Sequence, residues 1–245
     1  MAIARVGCAG WSLPSAVAAE FPAGGSHLER YAQRFSCVEI NSSFYRPHQE
    51  KTYRRWAASV PAGFAFSAKI PRSITHEQRL EHCEEVLRRF LAEVAGLGEK
   101  LGCLLIQLPP SLALEPKLAG RFFSLLRTLT AVPAVCEPRH ASWFTERGAE
   151  VLAAANVGWV SADPAPVSGR AALDTAGILY LRLHGSPRIY QSSYDEPFIA
   201  TTAERMECAR TSGGDAWCIF DNTAHGAAVP NALSLASQLK HPGSS

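Results

Sequence analysis

Short apolar runs with β character recur along the whole chain. They are "IARVGCAG" (3–10), "CVEIN" (37–41), "FAFSAKI" (64–70), "LGCLLIQL" (101–108), "PAVCEP" (133–138), "VGWVSAD" (157–163), "ILYLRLHG" (178–185) and "WCIFDN" (217–222). Several are almost continuously apolar, as strands of a parallel sheet covered on both faces must be. Helical spacing fills most gaps. Leu28, Tyr31, Ala32 and Phe35 of "HLERYAQRF" fall at i, i+3, i+4, i+7. "QEKTYRRWAAS" follows the second run, and "EQRLEHCEEVLRRFLAEVAGL" after the third predicts one long helix ending near Gly98. "KLAGRFFSLLRTLT", "RGAEVLAAAN", "TAERMECARTS" and "NALSLASQLK" follow the fourth, fifth, seventh and eighth runs. Between Asp163 and Ile178, two prolines and a glycine interrupt "PAPVSGRAALDTAG", so this crossover is expected to be irregular or to lack a full helix. Eight alternations predict an α/β fold, a TIM-type (β/α)8 barrel, rather than an open doubly wound sheet. No boundary interrupts the pattern, so residues 1–240 read as one domain and "HPGSS" (241–245) as a flexible tail.

Composition narrows the partners. In 245 residues the formal charge is +2 and no block of Lys and Arg occurs, which argues against nucleic acid as a ligand. Seven cysteines form no CxxC pair and five lie in the apolar runs, so they read as small buried hydrophobes in a reducing compartment. The first residues lack the apolar stretch of a signal peptide, and no run is long enough to cross a membrane. A cytoplasmic protein with no membrane partner is expected.

Polar residues gather at the C-terminal ends of the runs. Glu39 and Asn41 end the second on one face, Lys69 ends the third and Gln107 the fourth. Glu137 and Arg139 end the fifth, Asp163 the sixth, Arg182 and His184 the seventh, and Asp221 and Asn222 the eighth. In a barrel these ends meet at the rim where active sites form. Glu39 is the test case, because an isolated carboxylate is costly to bury. Lys69, Arg139 and Arg182 are the candidates to compensate it.

The motifs "GCAGWS" (7–12), "VEINSSFYR" (38–46), "FAFSAKIPRSITH" (64–76), "LLIQLPPS" (104–111), "CEPRHASW" (136–143), "YLRLHG" (180–185), "SSYD" (192–195) and "DNTAHGAAVPNA" (221–232) together resemble the DUF72 (YecE-like) family. The resemblance implies a TIM-barrel-type fold and an uncharacterised function, loosely labelled sugar-isomerase-related. Its motif positions here are Glu39, Asn41, Phe44, Tyr45, Lys69, His76, Gln107, Glu137, Arg139, Trp143, Arg182, His184, Gly185, Tyr190 and Asn222. Asp221 departs from it, since the family usually carries an Asn-Asn pair there.

Three chemistries compete. In the first, a metal-independent enzyme acts on an anionic or polyol small molecule, sugar- or nucleotide-like, as an isomerase or hydrolase. Glu39 or Glu137 would be the base and Lys69 or His184 the acid. Arg139 and Arg182 would hold an anion. Asn41, His76, Gln107 and Asn222 would bind substrate, with Phe44, Tyr45, Trp143 and Tyr190 available to stack on it. This reading needs no cofactor. The second is a divalent-metal enzyme, sugar-isomerase-like or endonuclease-like, with Glu39, Glu137, Asp163 and His184 as ligands. Cations in the same ring count against it. The third is ligand binding without turnover.

Overall fold

The computed structural model describes residues 2–168 and 175–240. All eight apolar runs form strands: β1 Ala4–Cys8, β2 Cys37–Ile40, β3 Ala65–Lys69, β4 Leu101–Gln107, β5 Ala134–Glu137, β6 Val157–Asp163, β7 Ile178–Leu183 and β8 Asp215–Phe220. Every neighbouring pair is parallel, in the order β1-β8-β7-β6-β5-β4-β3-β2. The two ends of that order meet and the sheet curls into a nearly closed TIM-type barrel. The tail at 241–245 lies outside the described residues, as does part of the β6–β7 crossover. The portions of that crossover on either side, 164–168 and 175–177, contain no helix.

Side chains, more than backbone, close the last seam. Val6, Cys8 and Gly10 turn their amides toward β2. The Val6 amide donates to Ser36 Oγ (3.3 Å) and the Cys8 amide to the Tyr31 hydroxyl (2.7 Å), which in turn donates to the Cys37 carbonyl (3.0 Å). Only the Gly10 amide reaches a β2 carbonyl, that of Glu39, at 2.9 Å. Gly7 makes this approach possible. A Cβ there would sit 2.1 Å from the Cys37 carbonyl oxygen. Tyr31 thus supplies hydrogen bonds that a regular ladder would provide.

Helices cover the outer face, except that the short α2 sits at the rim beside the end of β3: α1 His27–Tyr31, α2 Ser42–Tyr45, α3 Glu50–Ala58, α4 Glu84–Val94, α5 Pro116–Leu129, α6 Glu146–Ala154, α7 Glu196–Thr211 and α8 Ala228–Lys240. Their starts follow ordinary capping. Ser26 and Glu29 form a capping box for α1, and Asp195 caps α7 with Pro197 in its first turn. The helix expected over 77–97 is shorter than its periodicity suggests. Arg79, Leu80 and His82 adopt positive φ, and the regular helix begins only at Glu84. Burial of Leu80 and a hydrogen bond from Arg79 to the Ser111 carbonyl (2.9 Å) hold the preceding stretch in a different path. Glu84 and Glu85 then favour the first turn of α4 by facing the positive end of its dipole.

Strand alternation divides the barrel interior into an apolar floor and a polar rim. Tyr180 and Trp217 stack near the floor (centroids 5.9 Å apart), and Arg5 lies over the Trp217 ring at 5.4 Å. Leu105, Val135 and Ile219 fill the middle. Two residues further along the same strands come Gln107, Glu137 and Asp221. The floor closes the barrel, so the polar side chains open only at the C-terminal end.

Candidate functional site

The buried carboxylate of Glu39 is answered by Arg182. Arg182 donates from Nε to Glu39 Oε2 (3.0 Å) and from Nη2 to Oε1 (2.7 Å), a fork that matches the planar carboxylate. The same guanidinium donates from Nη1 to Glu137 Oε2 (2.6 Å) and from Nη2 to Asp221 Oδ2 (3.0 Å). One fully buried arginine therefore ties together the ends of β2, β5, β7 and β8. Tyr180 adds a hydroxyl donor to Glu39 Oε2 (3.1 Å), with Ser67 Oγ 2.8 Å from that hydroxyl. Lys69 and Arg139, the other candidates to compensate Glu39, make no direct contact with it.

A second layer lies above. His184 places Nδ1 3.0 Å from Asp221 Oδ2 and Nε2 3.2 Å from Glu137 Oε1. A neutral imidazole has one N–H, so only the imidazolium donates to both. Burial opposes that charge, but the hydrogen bonds to Asp221 and Glu137 outweigh it and raise the His184 pKa. Glu137 Oε1 also accepts from Gln107 Nε2 (3.1 Å) and from Arg139 Nε (3.0 Å). Burial works against ionisation of Glu137 and Asp221, yet Arg182 holds both below their ordinary values.

Lys69 stands apart from this network. Its ammonium makes no hydrogen bond with the described residues and rests over the Phe44 ring, 4.1 Å from the centroid. Burial, and then the Arg182 charge, bring its pKa down to about 8. His76 packs edge-on against the same ring (5.0 Å) and lies 2.8 Å from Thr75 Oγ1 through Nδ1. Burial and the nearby Lys69 charge lower its pKa, leaving it neutral at pH 7. The Asn41 side-chain oxygen is buried without a partner.

These pKa directions predict a stability profile. Glu137 and Asp221 contribute fully above their ordinary 4.5 and 3.8, and that contribution is lost as pH falls through their lower folded values. His184 has the opposite sign. Its contribution is complete below its ordinary 6.5 and is lost as pH rises through its raised folded value. Lys69, depressed from 10.5 to about 8, adds stability back as pH climbs between those values. Urea midpoints are expected to be highest between about pH 4.5 and 6.5 and to fall above that window before pH 8. A midpoint still rising from pH 6.5 to 8 would contradict a doubly bonded imidazolium.

A cavity of ≈310 Å³ opens beside the network. Glu137, Arg139 and His184 form its polar wall, and Pro110, Pro164, Pro166, Ile189 and Tyr190 its apolar side. Tyr190 is held at φ 67° with its ring edge-on to His184 (5.7 Å). A tyrosine in the left-handed region is uncommon, and such strain concentrates at functional sites.

The sequence-selected residues divide into three groups. Glu39, Glu137, Arg182, His184, Gln107 and Arg139 share one network, and Lys69, His76, Phe44, Asn41 and Tyr190 flank it. Three others lie elsewhere. Trp143 is buried under the loop before α6, donating from Nε1 to the Leu112 carbonyl (3.0 Å). Tyr45 is 67% exposed and lines an outer groove with Arg46 and Pro71. Asn222, one residue past the inward Asp221, points outward and ties the loop carrying Tyr190 to α8, donating to the Ser192 carbonyl (2.9 Å) and Asn231 Oδ1 (3.0 Å). Parity also removes Asp163 from the ring. Ala162 lines the cavity, so its neighbour Asp163 faces out, where it accepts from the Tyr194 hydroxyl (2.9 Å). Tyr180 and Ser67 were missed because both resemble ordinary strand residues. Asp221 was visible at a strand end but was absent from the expected site residues.

No group of three or more His, Cys, Asp or Glu among the described residues is arranged to hold a metal ion. The nearest approach to one, Glu39, Glu137 and Asp221, has its oxygens directed at Arg182 and His184. Burial pushes the Cys8 thiol up to about 12, so at neutral pH it is not a thiolate nucleophile. No helix among the described residues is long and apolar enough to cross a membrane.

Comparison with known proteins agrees with this architecture. The family described as "Protein of unknown function DUF72" matches residues 5–245. The chain belongs to the DUF72 family. Among curated relatives, the UPF0759 protein YecE of Escherichia coli K12 is 33% identical over 104 residues, 42% of this chain and 37% of that protein. YunF of Bacillus subtilis 168 is 24% identical over 146 residues, 57% of this chain and 52% of that protein. The matched stretches thus span between about a third and a half of those relatives' length. A DUF72 crystal structure from Enterococcus faecalis V583 superposes with a TM-score of 0.83 at 20% identity, covering 98% of this chain and 97% of its own. One from Thermotoga maritima MSB8 gives 0.82 at 23% identity, covering 98% and 100%. At these identities the DUF72 structures establish the shared fold.

Proposed function

We propose that this DUF72 protein is a small-molecule enzyme working by metal-independent acid/base chemistry on an anionic substrate bound at the barrel rim. The observation that carries this reading is the asymmetry of the ring. Its carboxylates are all bonded to partners within it, whereas part of its positive charge is not. Glu39, Glu137 and Asp221 are opposed by Arg182, Arg139, protonated His184 and Lys69, three negative charges against four positive. Arg139 is the cation that combines cavity lining with solvent access, and Lys69 has no acceptor among the described residues. An anion satisfies both. A neutral polyol would leave Lys69 uncompensated.

Acid/base roles follow from availability. Glu39 is fully buried with both oxygens bonded, so it positions Arg182. His184 fixes the field at the cavity wall. The exchangeable protons lie with Lys69, poised near neutrality, and with neutral His76. The apolar wall of Ile189 and Tyr190 offers a surface for the non-ionic part of the ligand.

Calorimetric titration with a panel of dicarboxylates, sugar phosphates and neutral polyols tests this reading. Arg139→Met removes the accessible cation and leaves Glu137 with Arg182 and His184. Anion affinity is expected to fall by about tenfold or more, 1.4 kcal/mol per decade, with the unfolding midpoint little changed. Equal binding of polyols and anions, or anion binding indifferent to Arg139→Met, would overturn it.

A further inference from the structure

Lys69 is the charged member of the ring that the network leaves over. Arg182, Arg139 and His184 each contact a carboxylate, whereas the Lys69 amine makes no hydrogen bond or ion pair with the described residues. It is only 4% exposed and sits on the Phe44 face. Glu39 from β2, Glu137 from β5, Arg182 from β7 and Asp221 from β8 all act on its charge across the rim. Burial, and then the Arg182 charge, favour the uncharged form of this amine. That combination is how an amine is made nucleophilic.

The geometry points to Lys69 as the amine that forms an imine with the carbonyl carbon of a small aldehyde or 2-oxo acid whose carboxylate is held by Arg139. This deepens the proposed function and rests on the same anion site. β3 and β5 are separated by β4 alone, with Lys69 in register with Leu105 and Val135, and Arg139 follows four residues after Val135, just past the end of β5. The Lys69 and Arg139 charges both act on His76, so the two cations face the same part of the rim.

The step balances without a redox partner. The neutral amine attacks the carbonyl carbon, forming a C–N bond while the C=O π pair moves to oxygen. The nitrogen loses a proton and the oxygen gains one, giving a carbinolamine. Protonation of its hydroxyl releases one water as the nitrogen lone pair forms the C=N bond of the iminium. The nitrogen proton passes through solvent to the oxygen to complete the carbinolamine, and a second proton, taken from water, lets its hydroxyl leave while the iminium nitrogen carries the charge. A pKa near 8 leaves about two orders of magnitude more free amine at pH 7 than an ordinary lysine has.

Reductive trapping tests the proposal. The protein is treated at about pH 7.5 with glyoxylate and borohydride, and the adducts are mapped by peptide mass spectrometry. The chain has five lysines, and exposed Lys51 and Lys117 serve as internal references. Lys69 is expected to be labelled roughly tenfold more than either, since its free-amine fraction is far larger. Labelling at or below their level overturns the imine. Oxalate, which offers carboxylates but no reactive carbonyl, separates the two ideas. If oxalate stabilises the fold and Lys69 is not trapped, the imine fails and the anion site stands. If oxalate does nothing and no adduct forms, both fail. Lys69→Arg is expected to abolish the adduct at that position, and Arg139→Met to reduce it several-fold.

Discussion

Arg182→Met is expected to be the most damaging single change at the site. Removing one partner of a buried ion pair costs about 3–5 kcal/mol, and here three carboxylates share the lost cation, which places the variant at the upper end of that range or beyond. The defect carries a diagnostic sign. Without the guanidinium, Glu39, Glu137 and Asp221 crowd each other in a medium from which water is excluded, so they favour protonation. The variant should therefore lose less stability relative to wild type near pH 4 than near pH 7. Urea titrations of both proteins at several pH values provide the check. An equal deficit at every pH would mean that Arg182 contributes packing volume rather than charge.

Gly7→Ala is expected to have a comparable effect by an unrelated route. The added methyl falls 2.1 Å from the Cys37 carbonyl oxygen and 2.9 Å from the Tyr31 hydroxyl. Cys37 is backbone in a strand already paired on its other side with β3, so it cannot yield cheaply. Parting β1 from β2 adds the loss of the Tyr31 bridge to the steric cost, roughly 4 kcal/mol in all. Hydrogen exchange should show faster exchange at the Cys8 and Gly10 amides than at amides of the β3–β4 ladder. Wild-type exchange in the variant would show that β1 has room the geometry denies it.

The barrel itself was legible because its strands are buried on both faces and therefore read as apolar runs. The rim was legible because polar residues at strand ends break that pattern at a consistent place, and parity told which of them face inward. The connections between them were less so. Nothing in "CVEIN" says that Glu39 pairs with a residue 143 positions away rather than with Lys69. That choice depends on side-chain reach across a closed barrel. Tyr31 reads as one apolar position of an amphipathic helix, and its hydroxyl becomes a seam bond only because Gly7 lets β1 approach β2. The stretch before α4 kept helical spacing in sequence, but Leu80 and Arg79 found stronger partners off the helix path. Trp143 matched a motif and proved to be a packing residue, since a motif records position and not which way a ring faces.

The account stands on an acidic network satisfied from within and a cationic edge left for a ligand. Its most direct test is a crystal structure soaked with oxalate near pH 7. One carboxylate is expected to lie within about 3 Å of the Arg139 guanidinium, with the other end directed at Lys69, while Arg182 keeps its contacts to Glu39 and Glu137. Oxalate bound only outside the rim, with Arg139 and Lys69 untouched, would contradict it.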